Sequence, residues 1–280
     1  AIQLLKENKL VSCISIIGTA LSIAMVMVVV LLFQIQLNGY YPENNRDRML
    51  YVQGTEATGK SGNDTNRGAM SAEVVRECFY SLKTPEAATA IYSDDLPLSL
   101  PDKRLYKEYS VKFTDDRFWN IFDFRFISGK PFSKADFLSG IPKAVITDKA
   151  AREFFGTTDV LGKSIVINFI PFTISGVVKE VSKAARDSYA SVWVPYTTND
   201  QLMSLQYADG ITGAFGVCIL AKRAGDFESI RKELKQQITR YNEGKKLYKV
   251  GFGENPISRL DIAMGSEEFK KVDFKDFILE

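Results

Sequence analysis

Few residues in this chain have the types and spacing to do chemistry, and the most suggestive of them form a phosphate-binding string. Gly54-Thr55-Glu56-Ala57-Thr58-Gly59-Lys60-Ser61 satisfies the pattern G-x-x-x-x-G-K-[ST] and follows a strand-like run at Met49–Gln53. Such a loop works because the backbone N–H groups and the dipole at the start of a helix meet the phosphates. Here the lysine and serine lead into Gly62 to Gly68, a stretch of Gly, Asn, Asp, Thr and Arg that resists helix formation. No apolar strand ending in a magnesium-holding aspartate follows, so Thr55 to Gly68 reads as a loop without a nucleotide.

Paired carboxylates at Asp94-Asp95 and Asp115-Asp116 could divide acid and base roles if a pocket held their pKa values apart. Their neighbours place them instead at a turn and at a helix start, where short acids serve as backbone acceptors. The chain has no histidine, which removes the usual base near neutral pH, the usual zinc ligand and every Ser-His-Asp or Cys-His scheme. Cys13, Cys78 and Cys218 lack metal-ligand spacing; the last two sit in apolar periodic segments and read as reduced core residues, with a disulfide between them left open. The aromatic group Phe113, Phe118, Trp119, Phe122, Phe124, Phe126 and Phe132 has the period of a small core. No catalytic, cofactor-binding or metal-ligating residue is expected, and the chain reads as non-enzymatic.

The elements that would have to position any site begin with a membrane span. Leu10 to Pro42 carries no charge, and Val11–Leu37 is dominated by Val, Ile, Leu, Met, Ala and Phe, where about 20 such residues suffice to cross a bilayer. The run exceeds a secretory apolar core of roughly 7–15 residues and has no clean cleavage site, so it is expected to stay as an anchor. Lys6 and Lys9 precede it and Glu43, Arg46, Asp47 and Arg48 follow at a distance, which favours a cytoplasmic N-terminus, residues 1–10, and an outer main domain. Ser15, Gly18 and Ser22, with Thr19, offer a small-residue face on which another membrane helix could pack.

Beyond the span the chain is ordinary folding protein, 25% charged with a net charge of +2 and its signs interleaved, which leaves no footprint for nucleic acid. A polar, turn-rich stretch at Asn38–Arg48 precedes the strand at Met49–Gln53, a helix capped by Ser71 with Val74, Val75, Cys78, Phe79 and Leu82 on one face, and a strand at Ala90–Ser93. A matching unit has strand Phe215–Ala221, a cap at Asp226, a helix with Phe227, Ile230, Leu234, Ile238 and Tyr241 on one face, Gly244 as its breaker, and strand Leu247–Val250. Two such units can share one sheet with both helices on one side, which makes the stretch between them an insertion. That stretch carries short strands at Tyr109–Phe113, Ala144–Ile146, Ser164–Ile167, Phe172–Val178 and Val192–Val194, and short helices near Asp115–Phe122 and from Thr147-Asp148 to Gly156.

The order of these residues is similar to a known family. Phe118 to Phe132, F-W-N-I-F-D-F-R-F-I-S-G-K-P-F, resembles the segment of MacB-like periplasmic core domains in which an aromatic helix leads to a strand and a G-[RK]-x-F turn. Val145 to Ile167 resembles the strand, the short helix ending in F-G and the G-K-x-I-x-I strand that follow, and Phe172–Val178 and Val192–Pro195 continue in the same order. Asn8-Lys9 with Ser12, Gly18 and Ser22 looks like the start of the family's first membrane helix, although the second small position is often Gly there.

The resemblance implies an α+β fold: one transmembrane helix at 11–37, a split βαβ/βαβ, porter-like subdomain at 38–93 and 214–280, and an inserted, mostly β, sabre-like subdomain at 94–213. The carried-over motif positions are structural: Phe124, Gly129, Phe132, Phe155, Gly156, Gly162, Gly176 and Pro195, the glycines at turns or close contacts and the proline ending a strand. It further implies a permease of the MacB, FtsX and LolC/LolE class in a bacterial inner membrane, dimeric, surrounded by lipid and driven by a cytoplasmic ABC ATPase subunit. A periplasmic adaptor or outer-membrane component is a further candidate partner, which the sequence does not decide. The outer domain of that class does not catalyse; it couples ATP hydrolysis to movement of an amphiphile, peptide or lipoprotein, and three further spans are expected beyond Glu280. The competing reading is a single-pass, membrane-anchored receptor or ligand-binding protein, and a tethered enzyme comes third.

Overall fold

A computed structural model describes residues 9–62, 64–102 and 106–264 of the chain. They fall into two units, one holding the residues up to Asn38 together with those from Leu260 onward, the other running from Gly39 to Arg259. The expectations that rest on Lys6, Asn8 and Glu280 lie outside the described residues.

In the first unit, helix α1 spans Lys9–Leu37, about 43 Å at 1.5 Å per residue. Its stretch Ser12–Ile35 carries no charged residue, and Ile14, Leu21, Val26 and Leu32 all lie open within the unit. The helix is apolar all round rather than along one stripe, so it is long and apolar enough to cross a bilayer, where lipid replaces a protein core.

The second unit is built on strands. β1 (Met49–Val52), β2 (Thr55–Gly59) and β3 (Thr65–Met70) lead to α2 (Ala72–Val74), which continues as a π turn over Val75–Phe79, then to β4 (Ala87–Ser99) and β5 (Lys107–Thr114). Next come α3 (Phe118–Ile121), β6 (Phe126–Gly129), α4 (Lys134–Leu138), β7 (Lys143–Thr147), α5 (Asp148–Phe155), β8 (Ser164–Ile167), β9 (Ile170–Val178) and β10 (Val192–Pro195). The chain ends the unit with α6 (Asp200–Ser204), β11 (Thr212–Gly213), β12 (Gly216–Leu220), α7 (Phe227–Glu243), β13 (Tyr248–Gly251) and β14 (Ile257–Ser258).

The larger sheet has the order β14-β1-β12-β4-β5-β10-β7-β9-β6, and β8 pairs with both β4 and β9. The ladder from β4 through β5, β10, β7, β9 and β8 therefore returns to β4 and closes six strands into a ring, which leaves those strands few open edges. β4 belongs to both parts: Ala87 to Ile91 pair with β12, Ile91 to Leu98 with β5, and Leu98 and Ser99 with β8. The expected boundary between residues 93 and 94 falls inside this single strand.

Local signals in the sequence account for the helices. Ser71 Oγ accepts from the Val74 N–H at 3.2 Å, and Thr147 Oγ1 from the Ala150 N–H at 3.1 Å. Val74, Val75, Cys78 and Phe79 are buried, as are Ile230 and Leu234 of α7. Glu73 joins the two helices by accepting from Tyr241 Oη at 2.9 Å and Lys245 Nζ at 3.0 Å. Cys78 and Cys218 are buried and unbridged, with burial pushing the Cys78 thiol up to about 12.

Four expectations need correction. Thr55 to Gly68 is a hairpin, β2 with β3, rather than a loop; the strand hides because the residues on its buried side, Thr55, Ala57 and Gly59, are small rather than apolar. β13 pairs with β2 in a second sheet of order β11-β3-β2-β13, so only β1, β4 and β12 of the two matching units share the larger sheet. Asp94-Asp95 lies within β4, not at a turn, since the strand runs six residues past Ser93 to Ser99. Asp226 caps no helix N–H; its Oδ2 accepts from the Arg223 N–H at 3.1 Å and closes the turn before α7.

Candidate coupling site

The two ends of the second unit meet each other. β1, where the chain comes in from α1, pairs antiparallel with β14, where it leaves, at Leu50 with Ser258 and Tyr51 with Ile257. On its other edge β1 pairs with β12, which borders β4 and so leads into the ring.

The segment just before β1 is fastened from several sides. Pro42 O accepts from the Asp123 N–H at 2.8 Å, Asn44 Nδ2 donates to Asp123 Oδ2 at 2.8 Å, and Tyr41 Oη donates to Lys179 O at 3.1 Å. Tyr41 also packs edge-on to Phe124, whose ring lies 5.0 Å from that of the buried Trp193. Phe118, Trp119, Phe124, Phe126, Phe132 and Trp193 form one connected aromatic core, whereas Phe113 stacks on Tyr92 outside it.

Within this frame sits a buried ionic cluster. Glu43 and Arg46, three residues apart on a tight turn, have side chains 0% and 1% exposed and approach to 2.6 Å. Glu43 Oε1 accepts from the Ser188 N–H at 3.0 Å and Ser188 Oγ at 2.8 Å; Oε2 accepts from Arg46 Nε at 2.7 Å and Arg259 Nη2 at 3.3 Å. Ser188 O in turn accepts from Trp193 Nε1 at 3.1 Å. Arg46 also donates to Tyr40 Oη at 2.7 Å and Ala184 O at 3.3 Å. Arg259 lies 4.9 Å above the Tyr51 ring and 3.1 Å from Asp187 Oδ2, an ion pair of proximity in which neither that oxygen nor Arg259 Nε makes a hydrogen bond.

The electrostatics follow from burial. Asp187 is pushed above the usual carboxylate range by burial and by the Glu43 charge. Lys112, on β5 and bonded to Ser93 Oγ at 2.8 Å, is held below the usual lysine range by burial. A fully buried pair gains little over an apolar packing, but removing one partner leaves an uncompensated charge and costs about 3–5 kcal/mol. The cluster is therefore a joint that resists opening, with no nucleophile or free base presented to a cavity.

The other singled-out residues lie elsewhere. On α1, Ser22 Oγ donates to Gly18 O at 2.8 Å and Thr19 Oγ1 to Ser15 O at 2.8 Å, so their small side chains lie against their own helix. Gly129 has φ of 70°, and a Cβ there would stand 2.2 Å from Ser175 O; one at Gly176 would stand 2.8 Å from Lys130 O, so β6 and β9 cross closely where both are glycine. Phe132 packs 5.6 Å from Trp119, Phe155 lies under Lys163 Nζ at 5.5 Å, Gly156 ends α5, Gly162 precedes β8, and Pro195 ends β10. Of the motif residues, Phe124 packs on Tyr41 in the segment that holds the cluster. The phosphate-like string is β2 and its turn, with Lys60 Nζ donating to Lys245 O at 2.5 Å and no helix after it. Asp115 accepts from the N–H groups of Arg117 at 2.9 Å and Phe118 at 3.1 Å, a helix-start role. Among the described residues no three His, Cys, Asp or Glu side chains gather as a metal site.

Sequence reasoning takes Glu43 and Arg46 only as flanking charges and does not single out Lys112, Asp187 or Arg259. The Glu-x-x-Arg spacing is a local signal for the first pair; the rest depends on strand pairing across the whole domain.

The family described as MacB-like periplasmic core domain matches residues 12–237. The macrolide export ATP-binding/permease protein MacB of Pasteurella multocida (strain Pm70) is 32% identical over 113 residues, 40% of this chain and 17% of that protein. The uncharacterized ABC transporter permease YknZ of Bacillus subtilis (strain 168) is 28% identical over 129 residues, 46% of this chain and 31% of that protein. The aligned part thus spans less than a third of either relative. The crystal structure of the periplasmic region of MacB from Actinobacillus actinomycetemcomitans superposes with a TM-score of 0.52 at 15% identity, covering 81% of this chain and 97% of that one. The extracellular domain of YknZ from Gram-positive bacteria gives 0.50 at 19% identity, covering 71% and 99%. These superpositions share the fold.

Proposed function

The chain belongs to the family of MacB-like periplasmic core domains, and from that membership we propose that it is part of an ABC transporter permease whose outer domain relays motion and catalyses nothing. A cytoplasmic ATPase partner drives the membrane helices, and a second permease protomer completes the assembly. The domain turns helix displacement into work on an amphiphile, peptide or lipoprotein outside the inner membrane. The N-terminus is cytoplasmic, as Lys6 and Lys9 ahead of the apolar span favour, and Ser15, Gly18 and Ser22 form the face on which another helix packs. Residues 38–93 and those from 214 onward take the displacement first, and β4 passes it to the inserted part, 94–213.

The observation that carries this reading is the joint between Glu43 and Arg259. Asn38–Pro42 alone separate the end of α1 from Glu43, so a shift of the helix end reaches a buried, cross-bonded turn rather than a slack linker. A relay works only through packed parts that move as bodies, because a soft segment absorbs the displacement. The reading is tested in spheroplasts: a cysteine at the exposed Lys232, with Cys13 replaced by serine, reacts with a membrane-impermeant maleimide added outside, and a separate ATPase subunit co-purifies with the chain from its own membrane. Labelling only after the membrane is opened sinks it.

A further inference from the structure

A cavity of 460 Å³ that shares no residue with the ionic cluster lies between the end of the α2 turn, Asp115–Arg117, α4 and the Tyr196–Met203 stretch. One wall is apolar: Phe137 and Tyr196 meet edge to face at 4.8 Å, and Leu138 and Met203 remain 67% and 37% exposed beside them. The other wall is cationic. Arg117 lays its guanidinium 4.0 Å above the Tyr80 ring rather than on a carboxylate, and Lys134 makes no ion pair among the described residues. Arg76 is a third cation in the lining, paired outward with Glu77 at 2.9 Å.

Two carboxylates also line the cavity, but the buried one is already saturated. Asp115 accepts from the Tyr80 hydroxyl, from Thr89 Oγ1 at 2.7 Å, and from the N–H groups of Ala90, Arg117 and Phe118 at 3.0, 2.9 and 3.1 Å. Those five donors occupy its oxygens, so it has no acceptor left for the side chains of Arg117 or Lys134, the two cations of the lining that make no ion pair among the described residues. A guanidinium stacked on an aromatic face keeps its N–H edge available for a second group, and arginine in a partly dry site prefers a planar anion. Exposed apolar side chains beside such cations fit a ligand with both characters, and the volume lies in the roughly 300–1,000 Å³ range that holds one small molecule.

We propose that this cavity binds a small organic anion with an apolar body, its carboxylate, sulfonate or phosphate group against Arg117 and Lys134 and its body against Leu138 and Met203. The site needs no moving helix, so its failure and the failure of the relay reading are separate results.

The probe is octanoate, titrated calorimetrically into the whole chain in nanodiscs of neutral lipid with empty nanodiscs as reference. One-to-one, saturable binding is expected, with octyltrimethylammonium at least tenfold weaker. Arg117→Gln combined with Lys134→Gln weakens octanoate at least tenfold, and Met203→Trp, which fills the mouth without changing charge, weakens it likewise, both at an unchanged melting temperature. No saturable octanoate binding, or equal binding of the two probes to the unaltered chain, overturns the proposal, as does octanoate binding indifferent to both variants. The comparison of the two probes on the unaltered chain decides the matter even if a variant fails to fold.

Discussion

Arg259 Nη2 stands 3.3 Å from Glu43 Oε2 across 216 residues of sequence, so the last side chain of the domain grips a carboxylate near its first. Both ends of the domain are thus held at one buried point.

Glu43→Gln keeps the shape of the side chain but removes the buried carboxylate charge that Arg46 and Arg259 share. A loss of about 3–5 kcal/mol is expected, which for a domain of this size lowers Tm by roughly 10 °C or more. Denaturant melts of the chain in nanodiscs measure it. A loss under 1 kcal/mol would show that Glu43 is not the hub.

Arg259→Ala removes a side chain that is 13% exposed, so the domain stays folded and loses about 1–2 kcal/mol. The effect is local. Hydrogen exchange quickens at least tenfold at the β1–β14 pair, around Tyr51 and Ile257, and stays unchanged in the closed ring at Val111 and Ile174. Uniform acceleration would mean that Arg259 acts on global stability and not on the joint.

Gly129→Ala and Gly162→Ala share a left-handed backbone, with φ of 70° and 76°, but differ in space. A methyl at Gly162 meets nothing within 4 Å and costs the backbone strain alone, about 1 kcal/mol, whereas one at Gly129 runs into Ser175 O and Gly176 Cα and costs more than about 3 kcal/mol. Equal melting shifts would contradict the close crossing of β6 and β9.

The positions of β1, β7, β8, β9, β10 and β12 are legible in the sequence because each is a largely apolar run bounded by polar or turn residues, and β5 because Tyr109, Val111 and Phe113 alternate with polar residues. α5 is legible because Thr147 and Gly156 mark both ends. The β2–β3 hairpin is not, since Thr55, Ala57 and Gly59 give no hydrophobic alternation, and the pairing of β13 with β2 depends on that unseen strand. The ionic cluster is also hidden: Glu43 and Arg46 look like ordinary solvated charges after a membrane span, and only the pairing of β1 with β14 brings Arg259 over them. The cavity beside Tyr80 is equally non-local, with walls from four separate stretches of chain.

Burial alone would push the Asp136 carboxyl up, but Lys143 Nζ at 2.8 Å and the N–H and O–H of Ser133 hold it down at about 2. With an unfolded value near ~3.9, its contribution is complete above about pH 4 and is lost as pH falls toward 2. Asp136→Asn therefore lowers stability by about 1–2 kcal/mol at pH 6, and the gap to the unaltered chain narrows steadily below pH 4. A gap constant from pH 6 to 3 would contradict that assignment.

The relay is tested most directly by distance. With the permease dimer reconstituted with its own ATPase, a spin label on a cysteine at Lys232, and Cys13 replaced by serine, the distance between protomers is measured by pulsed electron resonance with and without trapped nucleotide. The account predicts a shift of several ångströms on nucleotide binding that disappears in Arg259→Ala while ATP hydrolysis continues. An unaltered assembly that shows no shift, or an Arg259→Ala assembly that shows the same one, would contradict it.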